Sequence, residues 1–282
     1  MWSKRGLLRA SFAALLAAAS VGASALAGSV ETMTPGRLRV AVYDDFQPYS
    51  GGGKGIDVAI GRELAKRLGL EPEVIEYPAD EDMNDDLRNM VWKGHYLGAR
   101  PADVMLHVPV DQRLADRNEQ VRIFGPYHLE SLAVIRDPSR IPPVTGSAAR
   151  ALEVFTRERI GVEIASLADD FLLQVLNGRL RENVVHFRSV ALAVEAMKAG
   201  EISAVMATRA EIEGAAGGTA GRFEIGPVSM PELRIQGWPL GMAVKADSTE
   251  LADALSKAMM DIQRDGTLAR IFQEHGITLQ KP

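Results

Sequence analysis

The sequence contains no cysteine. This absence excludes disulfide bonds, thiolate metal sites and cysteine nucleophiles. Positive charge is not in excess either, because the chain has 32 lysines and arginines and 37 aspartates and glutamates, which give a net charge of −5. A mildly acidic chain without a basic stripe is a poor candidate for nucleic acid. Long apolar runs are also missing beyond the first 27 residues, so no membrane-spanning helix is predicted there.

Common catalytic motifs are absent as well. The chain has no G-x-S-x-G, H-E-x-x-H or P-loop pattern, and no G-x-G-x-x-G that follows a strand. His95 and His107 are isolated histidines without a third metal ligand at a known spacing. We therefore expect a chain that is not an enzyme and that holds no cofactor and no metal.

The first 27 residues have the layout of a secretory signal peptide. Lys4, Arg5 and Arg9 form a basic front, an Ala- and Leu-rich run follows, and residues 23–27 fit two A-x-A cleavage sites. The apolar run is too short to span a bilayer. We expect residues 1–27 to be cleaved and the protein to be periplasmic. The remaining chain, about 255 residues, is long enough for two medium-sized lobes.

Strand and helix patterns alternate along the rest of the chain. Short β-branched runs predict strands, and apolar residues at helical spacing predict helices. The predicted strands are residues 37–43, 73–77, 103–108, 159–164, 184–187 and 202–207. The predicted helices are residues 56–68, 85–92, 167–176, 190–199, 251–264 and 268–274. Strand-like connectors are predicted at residues 129–136 and 241–245.

This alternation predicts an α/β fold of two lobes, each a mostly parallel sheet flanked by helices. The two connectors predict a double crossover between the lobes. Lobe 1 would comprise residues 37–130 and 238–282, and lobe 2 residues 131–237. A ligand cleft is expected between them, at the carboxyl ends of the parallel strands.

Three stretches carry a family resemblance. Residues 38–75 contain aromatic-x-Pro-aromatic and Gly-hydrophobic-Asp, residues 159–166 and 190–207 form a second strand–helix block, and residues 238–272 end in Asp-Gly-Thr-Leu and a helix. In this order they resemble the periplasmic solute-binding proteins of the amino-acid type (family 3), which serve ABC importers. The resemblance implies the two-lobe fold of type II, a small-molecule solute in the cleft, an ABC permease in the inner membrane as partner, and a monomer.

The resemblance also suggests ligand-binding residues in lobe 1. Phe46 occupies the place of the aromatic that covers the ligand, and Tyr49 follows three residues later. Either ring could instead pack within its loop. Asp45, which directly precedes Phe46, is a further candidate because it could hold an ammonium group.

An arginine is expected after the third strand to hold a ligand carboxylate with a bidentate fork. Arg113 lies near that place, although the turn before it is shorter than in the family. Arg117 is an alternative because the spacing from Arg113 to residues 124–127 is longer than in the family. His107, Pro109 and Asp111 stand where the family has hydroxyl residues, and His107 is kept as a candidate for ligand binding. We expect Phe46 and Arg113 to point into one cleft.

Lobe 2 departs from the family at its ligand site. Ser166 could cap a helix or touch a ligand. Thr208 stands where amino-acid binders place an acidic residue, and Glu211 and Glu213 are expected on the solvated face of the next helix. A buried ammonium without a counter-charge is costly. We therefore predict poor binding of common α-amino acids and a preference for an uncharged or anionic solute, or for none.

These departures leave a second function open. Some proteins that resemble this family accompany periplasmic quinoprotein alcohol (methanol) dehydrogenases as accessory proteins. They keep the fold without the amino-acid pocket. The unusual stretches at residues 91–98 and 103–111 fit such a partner protein as well.

Overall fold

The computed structural model describes residues 30–217, 221–228, 230, 232, 235 and 237–282. The predicted signal peptide, residues 1–27, lies outside the described residues. No helix in the described ranges is long and apolar enough to cross a membrane.

Strands and helices alternate through most of the described chain. The strands are β1 (Arg37–Tyr43), β2 (Glu71–Tyr77), β3 (Val104–Pro109), β4 (Val121–Arg136), β5 (Ile160–Glu163), β6 (Val184–Phe187), β7 (Ala204–Thr208), β8 (Glu224–Pro227) and β9 (Gly237–Lys245). The α-helices are α1 (Ile56–Leu68), α2 (Met83–Leu87), α3 (Gln112–Arg117), α4 (Ala148–Ala151), α5 (Leu167–Gln174), α6 (Val190–Lys198), α7 (Arg209–Ala216), α8 (Thr249–Arg264) and α9 (Thr267–Glu274). A π-helical turn, Arg88–Trp92, follows α2, and 3₁₀ turns occur at Glu153–Thr156, Val175–Gly178 and Arg181–Asn183.

The strands form two sheets that share β4. The first sheet has the order β2-β1-β3-β9-β4, in which β1 is parallel to β2 and β3 while β9 is antiparallel to both of its neighbours. The second sheet has the order β4-β7-β5-β6, with β5 parallel to β6 and β7 and with β8 on β4. The predicted α/β architecture with parallel strands and flanking helices is confirmed.

Strand β4 passes from one sheet to the other without a break. Its residues up to Ser131 pair with β9, and its residues from Leu132 onward pair with β7. The predicted connector at residues 129–136 is therefore only the second half of a 16-residue strand. The connector predicted at 241–245 likewise begins earlier, as β9.

Each sheet is covered on both faces, as alternating side chains require. In β1, Leu38, Val40 and Val42 pack against α1, α8 and α9. Ala41 and Tyr43 point to the opposite face and pack against the segment after β2. Two further clusters cover the faces of the second sheet.

Helix α1 follows the predicted bounds because its apolar spacing and its stop signal agree. Ile56, Ile60 and Leu64 are fully buried on one side. Gly69 then adopts a left-handed conformation, with φ 70°, and its N–H donates to the Ala65 and Lys66 carbonyls.

The other predicted helices differ from the observed ones by one or two residues at an end, and two of these differences have a visible cause. The helix predicted at residues 85–92 begins earlier, at Met83, because the Asp82 carboxylate caps it by accepting the Asn84 N–H. It also passes into the π-helical turn at Arg88. The helix predicted at residues 167–176 ends at Gln174, since the next residues leave the helical conformation.

Gly55 provides a test of the loop before α1. Its φ is 121°, and a Cβ added there would lie 2.3 Å from the Tyr49 carbonyl oxygen. Gly55→Ala should lower the free energy of unfolding in urea by about 3 kcal/mol, because a backbone clash adds to the conformational strain. The matched control is Gly52→Ala, where φ is 61° and nothing lies within 4 Å. The control should cost only about 1 kcal/mol, and equal losses would contradict the close-approach argument.

Candidate functional site

Two cavities lie where the two sheets meet. The first, which we call the Phe46 cavity, has a volume of about 590 Å³ and receives residues from both halves of the chain. Its principal lining residues are Asp45, Phe46, Pro48, Glu163, Arg188 and Glu211. The second, the Arg113 cavity, has a volume of about 670 Å³. Its principal lining residues are Asp111, Arg113, Leu114, Arg117, Leu167 and Trp238.

The Phe46 cavity forms where parallel strands end. Phe46 follows β1, Glu163 is the last residue of β5, and Arg188 comes directly after β6. Glu211 lies in the first turn of α7, directly after β7. The carboxyl ends of parallel strands open onto one edge of a sheet, which is where ligands bind in α/β folds. The cavity therefore lies at the expected place for a ligand.

Glu211 brings a carboxylate next to Thr208, where the sequence predicts none. The Thr208 hydroxyl donates to Glu211 Oε2 at 2.5 Å, and the Glu211 N–H donates to the Thr208 oxygen at 3.4 Å. Burial, followed by the charges of Glu163 and Glu130, raises the pKa of Glu211 to about 7, although the Thr208 hydroxyl opposes the shift. A capping box of this kind, Thr-x-x-Glu, is the sequence signal that could have located Glu211.

The expectation that Glu211 and Glu213 belong to a solvated surface is therefore wrong. Glu211 lines the Phe46 cavity. The Glu213 side chain is only 10% exposed and accepts hydrogen bonds from Arg209 Nε and from the Thr278 N–H, both at 2.7 Å. The prediction of poor α-amino-acid binding assumed that no carboxylate lies near Thr208, and this assumption is also wrong.

Acidic groups outnumber basic groups in the Phe46 cavity. Three carboxylates line the cavity, those of Asp45, Glu163 and Glu211. Among the described lining residues, Arg188 is the one arginine. Burial and the nearby charge of Asp45 raise the pKa of Glu163, and the Val190 N–H that it accepts at 3.2 Å opposes this shift. His275 also lines the cavity, and its Nδ1 lies 2.8 Å from the Ile271 carbonyl oxygen.

Phe46 and Tyr49 have different environments. Phe46 is half-buried and lines the cavity. Tyr49 is fully buried, and its hydroxyl donates to the Glu130 carboxylate. Of the two alternatives for Tyr49, the structure therefore shows packing within the protein.

A buried polar cluster of Asp57, His107 and Tyr127 packs against Phe46. His107 Nδ1 lies 3.0 Å from Asp57 Oδ2, and the Tyr127 hydroxyl donates to Asp57 Oδ1 at 2.9 Å. The same hydroxyl accepts the His107 N–H at 3.0 Å. The His107 ring packs edge-on against Phe46 with ring centroids 4.9 Å apart, and against Tyr49 at 4.2 Å. His107 thus holds the aromatic wall and is not among the residues that line either cavity.

The structure does not bring Arg113 to Phe46. Arg113 is exposed in the first turn of α3 and lines the other cavity together with Arg117. The reason is that β3 continues to Pro109, paired with Leu240 of β9, and Asp111 then caps α3 by accepting the Leu114 N–H at 2.9 Å. The expectation of one shared cleft for Phe46 and Arg113 is corrected here to two separate cavities.

Ser166 has the capping role that was one of its two alternatives. Its Oγ accepts the Asp169 N–H at 3.2 Å at the start of α5. It is not among the lining residues of either cavity. Among the described residues, no group of three or more His, Asp or Glu side chains could hold a metal ion.

Asp57 provides a test of the buried cluster. Asp57→Ala would leave the Tyr127 hydroxyl and His107 Nδ1 without their shared acceptor. Each unsatisfied buried polar group costs about 1–3 kcal/mol, so we expect the free energy of unfolding in urea to fall by about 2–4 kcal/mol. Asp170→Ala, at an exposed site on α5, is the control and should change it by less than about 0.5 kcal/mol. An equal, small effect of both changes would show that the cluster does not stabilise the fold.

No protein-family model and no curated protein matches this sequence. Several solved structures are similar to this chain. An ancestral cationic amino-acid solute-binding protein, AncCDT-1, superposes with a TM-score of 0.63 at 18% identity over 86% of this chain and 96% of that one. Another structure of AncCDT-1 describes it as a precursor of cyclohexadienyl dehydratase.

Two further structures show how widely this fold is used. An amino-acid ABC transporter substrate-binding protein from Streptococcus pneumoniae, bound to L-arginine, superposes with a TM-score of 0.58 at 16% identity over 88% of this chain and 96% of that one. A histidine kinase sensor domain superposes with a TM-score of 0.57 at 17% identity over 87% and 98%. The chain therefore has the type II periplasmic-binding-protein fold that its sequence motifs predicted.

Proposed function

We propose that this chain is a periplasmic solute-binding protein that closes on a small solute in the Phe46 cavity and delivers it to an ABC permease. The observation that carries the proposal is the cavity itself, which receives Phe46 from one half of the chain and Glu163 and Glu211 from the other. A site shared by two halves can close on its ligand by hinge motion. The lobes would be residues 37–130 with 238–282, and residues 131–237, in a monomer.

We further propose that the solute carries positive charge. Glu163 and Glu211 face the cavity beside the Phe46 ring, whose face can attract a cation. The earlier preference for an uncharged or anionic solute depended on a missing counter-charge, and Glu211 supplies one. Two of the similar structures carry the same chemistry in their descriptions, as a cationic amino-acid binder and as a protein bound to L-arginine.

Calorimetry with a solute panel tests this proposal. We expect arginine, lysine and putrescine to bind, and glutamate and succinate not to bind. Glu163→Gln should weaken the binding of these cations roughly tenfold, because a hydrogen bond to a charged group contributes about 1.5–3 kcal/mol. The control is Glu195→Gln on α6, where the carboxylate pairs with Lys198 on the surface. Selective binding of the dicarboxylates, or conversion of any panel solute to a product, would contradict the proposal.

The pKa of Glu211 predicts how the affinity for a cationic solute depends on pH. Its pKa is about 7 in the empty cavity, so lowering the pH below 7 protonates it and removes its charge. Arginine affinity should therefore rise between pH 5.5 and pH 8.5 and level off at the upper end. Glu211→Gln should bind arginine more weakly than the wild type at pH 8.5 and should lose the rise. A wild-type affinity that is constant over this range would exclude the role of Glu211.

One observation favours the second candidate, an accessory protein of a quinoprotein alcohol dehydrogenase. Tyr96 and Leu97 are each 78% exposed at the tip of a turn between Gly94 and Gly98, and exposed apolar side chains in a cluster suit a protein partner. Co-purification with a periplasmic dehydrogenase, lost in Tyr96→Ser, together with no response to any panel solute, would favour this candidate over the first.

A further inference from the structure

Residues 277–282, which we call the tail segment, contact the middle of β4 through Gln280. The Leu129 N–H donates to the Gln280 carbonyl at 2.9 Å. In return, the Gln280 N–H donates to His128 Nδ1 at 3.3 Å. Burial, followed by the charge of His107, lowers the pKa of His128 to about 4, so Nδ1 remains an acceptor at neutral pH. The tail segment is thus tied to the strand by hydrogen bonds in both directions.

This attachment lies at the point where β4 changes sheets. Ser131 is the last residue of β4 that pairs with β9, and Leu132 is the first that pairs with β7. Ser131 Oγ lies 3.4 Å from Gln280 Oε1. Any rotation of one sheet relative to the other bends β4 at or near these residues, so the tail segment covers the place where a hinge would move.

The tail segment also contacts the second half of the chain. The Thr278 N–H donates to Glu213 Oε2 at 2.7 Å, while Glu213 Oε1 accepts Arg209 Nε at 2.7 Å. The Glu213 carboxylate is therefore shared between its own helix, α7, and the tail segment. Ile277, at the start of the tail segment, is buried in the core of the first sheet. The Thr278–Glu213 bond thus adds a polar link between the first core and α7, whose Ala210 also packs in that core.

Helix α7 is a wall of the Phe46 cavity. It contributes Glu211 and Gly214 to the lining. A Cβ added at Gly214 would lie 3.2 Å from Pro48 Cβ, so α7 packs closely against the loop that carries Phe46. Because Glu213 lies between these two lining residues, the bond from Thr278 holds the part of α7 that faces the cavity.

We propose that the tail segment and Glu213 are positioning elements of the cleft, which hold α7 against the Phe46 loop and thereby stabilise the closed arrangement of the two halves. The proposal depends on the proposed function only in assuming that the cleft opens and closes. Glu213 does not line the cavity among the described residues. It acts through the placement of Glu211 and Gly214.

The test measures the separation of the two halves in the protein without solute. Since the chain has no cysteine, Glu81→Cys and Glu182→Cys at exposed sites allow two dyes to be attached, one in each half. Glu213→Ala removes the acceptor, and Thr278→Pro removes the N–H donor while it leaves the Glu213–Arg209 pair in place. Both should shift the energy-transfer distribution toward the open form.

Two variants separate positioning from general stability. Glu213→Gln keeps one acceptor oxygen, which can still accept the Thr278 N–H although the pair with Arg209 is lost, and should retain the wild-type distribution. Glu274→Ala removes an exposed carboxylate on α9 and should also leave it unchanged. In calorimetry with arginine as the probe, Glu213→Ala and Thr278→Pro should weaken binding roughly three- to tenfold, as expected for the loss of one hydrogen bond.

The outcomes are distinguishable. Unchanged distributions in both Glu213→Ala and Thr278→Pro, or an equal shift in Glu274→Ala, would overturn the positioning role even if arginine binds. A shift in these two variants together with no solute binding would support the positioning role and contradict the proposed function. If Glu213→Ala fails to fold by circular dichroism, Thr278→Pro decides alone.

Discussion

Strand β4 pairs with two different strands, and this double pairing determines how the two halves of the molecule fit together. One continuous strand gives its first part to β9 and its second part to β7, so the two sheets are joined by hydrogen-bonded backbone. A backbone strand can bend and twist, but it cannot lose its pairing cheaply. The two halves therefore have few ways to move relative to each other, and the residues near Ser131 determine where they meet.

Buried polar side chains collect near this junction for a physical reason. Glu130 is almost fully buried beside the crossover, where its carboxyl group accepts hydrogen bonds from the Tyr49 hydroxyl and the Ser131 N–H. Burial raises its pKa, and these bonds oppose the rise. A buried carboxyl group is tolerated only when such partners are present. The hydrogen bond from Tyr49 links the loop that carries Phe46 to the strand that joins the sheets, so the shape of the cavity is coupled to the crossover.

The sequence predicted the elements that depend on local periodicity, and it failed where distant contacts decide. Helix α1 was predicted with its observed bounds because apolar spacing and Gly69 are both local signals. The first half of β4 was missed because residues 124–128, Phe-Gly-Pro-Tyr-His, break the alternation typical of a strand, and the register shift there is visible only when β9 is in place. The separation of Arg113 from Phe46 has the same origin, since the pairing of Pro109 with Leu240 determines how far β3 extends.

The candidate site shows the same division between local and distant effects. The family resemblance identifies Phe46 as the aromatic that follows the first strand, whereas the sequence places Glu211 on a solvated helix face because a glutamate there is most often exposed. What changes its environment is the packing of α7 against Pro48, which depends on both halves of the chain. Packing there places Glu211 near Glu163, an arrangement that like-charge repulsion disfavours in the empty cavity. In the proposed function, a solute of positive charge relieves that repulsion as it enters, and this relief contributes to the free energy of binding and closure.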